Sequence, residues 1–146
     1  MVDASKPKKP REDGQITGLS GELFVAAELL KRRLQASVTF GNAKAIDLLA
    51  YNPVTKQNFT VQVKALRKTN YFLIKHSSIV AEHIYVFVIL NGPKQAVQYF
   101  VVPGTNLAEE PHRFGKDFHH PTMPGIHPKS LKEFADAWHY FGGADG

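Results

Sequence analysis

The sequence predicts an α/β domain: a central mixed β-sheet flanked by an N-terminal helix and a C-terminal helix. Three observations predict it. Residues 16–35 carry apolar side chains three and four apart. Short β-branched and aromatic runs, parted by turn signals, follow between residues 38 and 102. Residues 130–141 return to helical spacing. The 146 residues suit one domain with a real core, and 43% hydrophobic residues make it a folded chain.

Taken in order, residues 1–14 (MVDASKPKKPREDG) read as a flexible basic tail, and residues 15–146 as the single domain. In the first helix the expected stripe is Leu19, Leu23, Ala26, Ala27, Leu30 and Leu34, with Lys31, Arg32 and Arg33 suiting the C-terminal end of its dipole. Val38–Phe40 is a short strand. AIDLLAY (45–51) and FTVQVKAL (59–66) form a hairpin around NPVTKQN. YFLIK (71–75) is a further short strand, and residues 77–83 a helical turn. IYVFVIL (84–90) reads as a strand buried on both faces, followed by VQYFVV (97–102). Pro103–Pro128, with five prolines, reads as a long irregular loop. Ser130 and Glu133 have capping-box spacing ahead of Leu131, Phe134, Ala135, Trp138 and Phe141.

Lysine plus arginine outnumber aspartate plus glutamate 18 to 13, a net charge of +5 that favours anionic partners, nucleic acid first. Cysteine is absent, which excludes disulfides and thiolate metal sites and fits a cytoplasmic protein. No apolar run approaches a membrane span, and the N-terminal stretch lacks the apolar core of a signal peptide.

Polar residues in apolar places carry the chemistry. At about 100° per residue, Glu22 lies within roughly 60° of Leu19, Val25, Ala26 and Leu29, so it points into an apolar stripe. Asp47 interrupts AIDLLAY, in a strand context that disfavours aspartate. Gln62 and Lys64 share a strand face, because the side-chain period is two. A hairpin turning between Val54 and Thr55 makes paired positions sum to about 109, which sets Asp47 opposite Gln62. Each residue also has a bland explanation: a first-turn glutamate leaning to water, and an aspartate at an edge or just before a strand that starts one residue later, at Leu48. Together they suggest carboxylate and amide oxygens suited to Mg²⁺ beside a lysine, a set fit for hydrolysing a phosphodiester.

GLSGELFVAAELLKRR, AIDLLAYN and FTVQVKAL, taken together over residues 16–68, resemble the PD-(D/E)XK nuclease superfamily, and within it the small nucleases like Holliday-junction resolvases. The resemblance implies a restriction-endonuclease-like fold and a DNA endonuclease using Mg²⁺ or Mn²⁺. It implies Asp47 as central metal ligand, Glu22 as binding or ordering a metal water, and Lys64 as positioning the attacking water. Val63 would offer its backbone carbonyl to the metal. It also implies two copies pairing to cut both strands. The chain departs from the pattern where Gln62 stands for the second acid, a QxK form that keeps a carbonyl oxygen and loses a charge.

Two other readings stay open: a weak or inactive nuclease-fold protein that binds nucleic acid or serves as a partner domain, and an unrelated α+β protein with a structural salt bridge from Glu22 or Asp47 to Lys64. Lys44, Arg67 and Lys68 flank the site as phosphate-contact candidates. His112, His119, His120 and His127, with Arg113 and Lys116, fall in the proline-rich loop, where a polar surface outweighs a zinc site.

Overall fold

The computed structural model describes residues 11–39 and 46–143, leaving Lys44 and the lysines of the tail outside the described residues. Helix α1 (Arg11–Lys31) begins inside the stretch read as tail and ends four residues before the expected limit. Strands β1 (Gln35–Val38), β2 (Leu48–Asn52), β3 (Gln57–Leu66), β4 (Phe72–Leu73), β5 (Ile84–Ile89), β6 (Gln98–Pro103) and β7 (Gly125–Ile126) follow, with helix α2 (Gly104–Glu109) after β6. The main sheet runs β1-β2-β3-β5-β6, and β4 pairs with β7 separately. Among the described strands of this sheet only β3 and β5 run parallel, so the sheet is mixed, as the sequence predicts.

Two cores cover the two sheet faces. Val25, Ala26 and Leu29 of α1 pack on Leu48, Ala50, Val61, Val86 and Val88, together with Trp138 and Phe141. On the other face, Tyr85, Phe87 and Ile89 pack under Phe72, Leu107, Phe114, Phe118 and Ile126. Every residue of β5 is therefore buried, which explains its unbroken apolar run.

The helix stripe differs from expectation. The covered side of α1 carries Gly21, Val25, Ala26 and Leu29, whereas Leu19, Leu23 and Leu30 are exposed along with Ile16 and Phe24. Apolar residues occupy both sides of this helix, so periodicity alone cannot choose between them. At about 100° per residue Glu22 falls at the centre of the covered side. Gly21 lets the helix approach: a Cβ there would meet Ala65 Cβ at 2.6 Å and Val63 Cγ1 at 3.4 Å.

Residues 103–128 are more ordered than expected. They hold α2, two 3-10 turns (Pro111–Phe114 and Lys116–His119) and β7, because Leu107, Phe114, Phe118 and Ile126 are core residues. The expected C-terminal helix is likewise a pair of 3-10 turns, Pro128–Phe134 and Trp138–Phe141. Between them the chain extends so that Ala135 bridges Phe100 on the open edge of β6. Asp136 takes a left-handed φ of 51° and donates its N–H to the Tyr99 carbonyl at 2.9 Å, which breaks a continuous helix. Glu133 does not close a capping box; its carboxylate accepts from Arg113 at 3.1 Å.

Candidate active site

The hairpin follows the expected register. Pairs sum to 109 from Leu48–Val61 through Asn52–Gln57, with Asn52 Oδ1 accepting the Val54 and Thr55 N–H groups in the turn. The register fails at Asp47. The ladder pairs Leu48 with Val61, and the Asp47 N–H donates to that same Val61 carbonyl at 2.9 Å. Two residues of one strand thus face one residue of the other, a bulge at the strand start, and Asp47 is not set opposite Gln62. Thr39 holds the outer side: its N–H donates to the Asp47 carbonyl at 2.9 Å and its hydroxyl to the Ile46 carbonyl at 2.6 Å.

The bulge re-aims the carboxylate. Asp47 Oδ2 accepts the Val63 N–H at 2.8 Å, where a continuing strand would have placed a backbone carbonyl. The main-chain N–H and C=O of one strand residue point to the same side, so the Val63 carbonyl also faces the fork where β2 leaves β3. Glu22 approaches from α1. Its carboxyl is held above the usual range, first by burial and second by the negative charge of Asp47. The structure thus brings Glu22, Asp47 and the Val63 backbone to one place.

Gln62 and Lys64 sit differently. They pair with Tyr85 and Phe87 of β5, on the sheet face away from α1. Both are half-buried, and Lys64 lines a cleft with Leu73, Lys75 and Met123. Among the described residues Lys64 makes no ion pair, so the structural salt bridge to Glu22 or Asp47 is not formed. Glu22 and Asp47 thus meet on the α1 side of β3, whereas Gln62 and Lys64 lie on its other face. Arg67 and Lys68 are exposed at the end of β3, beside Gly14 and Thr17 of α1. Sequence reasoning missed Thr39, and it missed the spacing role of Gly21, although GxxGE contains that glycine.

The donors that meet at the fork are two carboxylates and one backbone carbonyl, all oxygens suited to a hard divalent cation, while the Gln62 amide lies on the other face of β3. Burial first and the Asp47 charge second raise the Glu22 carboxyl, and a cation beside the two oxygen donors would offset that charge, so the residues fit the ion. The histidines do not make a rival site: among the described residues no group of three or more His, Asp or Glu could hold a metal. His120 and His127 spend Nδ1 on local turns, accepting from Met123 at 2.9 Å and Lys129 at 3.3 Å. Arg113 is committed to Glu110 and Glu133, at 2.8 and 3.1 Å. No described helix is long and apolar enough to cross a membrane.

No family model matches the chain, and no curated protein matches it. Among solved structures it is similar to Hjc, a Holliday junction resolvase from the archaeal hyperthermophile Archaeoglobus fulgidus. The two share 15% identity with a TM-score of 0.50, over 80% of this chain and 93% of that one. At that identity the likeness speaks to the fold: the chain has a restriction-endonuclease-like resolvase fold, as the sequence predicts.

Proposed function

We propose that this chain is a divalent-metal-dependent endonuclease that hydrolyses phosphodiester bonds in DNA. The observation that carries the reading is the pinned Asp47 carboxylate at the β2–β3 fork, facing Glu22. Asp47, Glu22, the Val63 carbonyl and the Gln62 amide oxygen would hold Mg²⁺ or Mn²⁺. When bound, such an ion polarises a phosphoryl oxygen and acidifies a water. The Val63 N–H orients Asp47 before any substrate arrives, so its oxygens need no reorganisation. Lys64 would orient the attacking water or neutralise charge gathering on the phosphoryl group. Arg67 and Lys68, exposed past the end of β3, and Lys44 would take flanking phosphates. The net charge of +5 supports a polyanionic substrate. Two copies of the chain would pair to cut both strands.

One observation favours a second reading, a weak or inactive nuclease fold that binds DNA. With Gln62 neutral, the fork offers two acids, and a site with fewer charges holds its ion less tightly. Incubating supercoiled plasmid and branched DNA with Mg²⁺ or Mn²⁺ decides between them. Cutting by the wild type that is lost in Asp47→Asn and Lys64→Ala is the expected result. DNA retention without cutting supports the second reading and overturns the first.

A further inference from the structure

The sheet face that carries Lys64 opens on a second surface. β4 and β7 pair Phe72 with Ile126 and Leu73 with Gly125. Phe72 and Ile126 are buried, so the core beneath is complete. Leu73 and Met123 nevertheless stand 61% and 59% exposed. They line one cleft with Lys64, Lys75, Ser78 and Thr122, and that lining contains two cations and no carboxylate. The platform is held firmly. A Cβ at Gly125 would meet the Phe72 carbonyl at 2.5 Å, and the Ile74 N–H donates to the Pro124 carbonyl at 3.1 Å.

We infer that Leu73 and Met123 form an apolar wedge that enters a DNA base stack while Lys64 and Lys75 hold the adjoining backbone, so that the cleft selects duplex DNA with an already opened base step. The inference rests on the nuclease reading, because it takes Lys64 to lie beside the phosphate under attack. Two cations in a lining that holds no carboxylate suit a phosphate backbone. Leucine and methionine between them gain little from an intact duplex, whose base faces are stacked away. They gain contact once a step opens, the way apolar side chains wedge between base pairs elsewhere. Opening the step costs free energy, and a mismatch or a branch point has already met that cost.

Fluorescence anisotropy in EDTA tests this, using a short labelled duplex and the same duplex carrying a central two-base mismatch. The wild type binds the mismatched duplex on the order of tenfold more tightly, as an unstacking cost implies. Leu73→Ala/Met123→Ala loses that preference while its affinity for the intact duplex changes less than about twofold. Both side chains are exposed, so an unchanged melting curve certifies the fold of the double variant. Lys75→Ala weakens binding to both duplexes alike and lowers the salt slope by about one. Equal binding of both duplexes by the wild type, a preference that survives the double substitution, or no DNA binding overturns the wedge. Absent cutting with the preference intact overturns the nuclease reading alone.

Discussion

The Asp47 carboxylate accepts the Val63 N–H at 2.8 Å, so a side chain of one hairpin strand completes the ladder of the other. Among the described residues Oδ1 takes no hydrogen bond. One oxygen is therefore structural and the other is available, and the bulge that arranges this is locked by Thr39. A binding group fixed in this way needs no ordering when its ligand arrives.

Asp47→Asn separates these two roles. An asparagine carbonyl oxygen still accepts the Val63 N–H, so stability changes by less than about 1 kcal/mol, whereas Asp47→Ala loses the bond and costs about 1–3 kcal/mol. Cutting disappears in both variants. Urea unfolding beside plasmid cleavage checks it; a destabilised Asp47→Asn contradicts the pinned geometry.

Glu22 gives a pH dependence. Its folded pKa is raised above 4.5 by burial and by Asp47, so the folded chain holds this proton more tightly than the unfolded chain. The associated stability is full below the unfolded value and is lost as pH rises through the folded one. Glu22→Gln removes that loss and is more stable than wild type near neutral pH, by less than about 1 kcal/mol for a solvent-screened group. Denaturant titrations in mildly acidic and neutral buffer measure the difference. A variant less stable than wild type at neutral pH contradicts it.

On the proposed reading, in which the residue-62 side chain reaches the ion, Gln62→Glu adds a third acid. The metal concentration needed for half-maximal cutting should fall on the order of tenfold, because affinity follows ligand charge. Cleavage rates across a Mg²⁺ titration read this directly. An unchanged or increased metal requirement places Gln62 outside the ion's reach.

Two of the three glycines of α1, Gly18 and Gly21, differ in a measurable way. Gly21→Ala drives a methyl into Ala65 Cβ at 2.6 Å, which should cost about 1–3 kcal/mol and lift Glu22 away from Asp47. At Gly18 a Cβ meets nothing within 4 Å, so Gly18→Ala should stabilise the helix by about 0.5–1 kcal/mol. Thermal melts of the pair check the close approach; equal effects contradict it.

Much of this arrangement was legible in the residues. Alternation and the turn at Asn52–Lys56 set the hairpin register, and the double-sided apolar run at 84–90 marked a strand buried on both faces. The bulge at Asp47 was not legible, because it depends on Thr39 just past the end of β1, a contact eight residues away. The helix face was misread because Leu19, Leu23 and Leu30 form an equally periodic stripe on the uncovered side. The loop at 103–128 hid its order behind prolines, although Phe114 and Phe118 were there to be buried. The last helix failed for a tertiary reason, the claim of the β6 edge on Ala135 and Asp136.

Titration of Mn²⁺ into the wild type and Asp47→Asn, followed by the electron paramagnetic resonance signal of the free ion, tests the central claim most directly. The account predicts that the wild type removes one Mn²⁺ per chain from solution and that Asp47→Asn, folded to the same extent, leaves it free. Equal Mn²⁺ uptake by the two proteins would contradict a metal site at the fork.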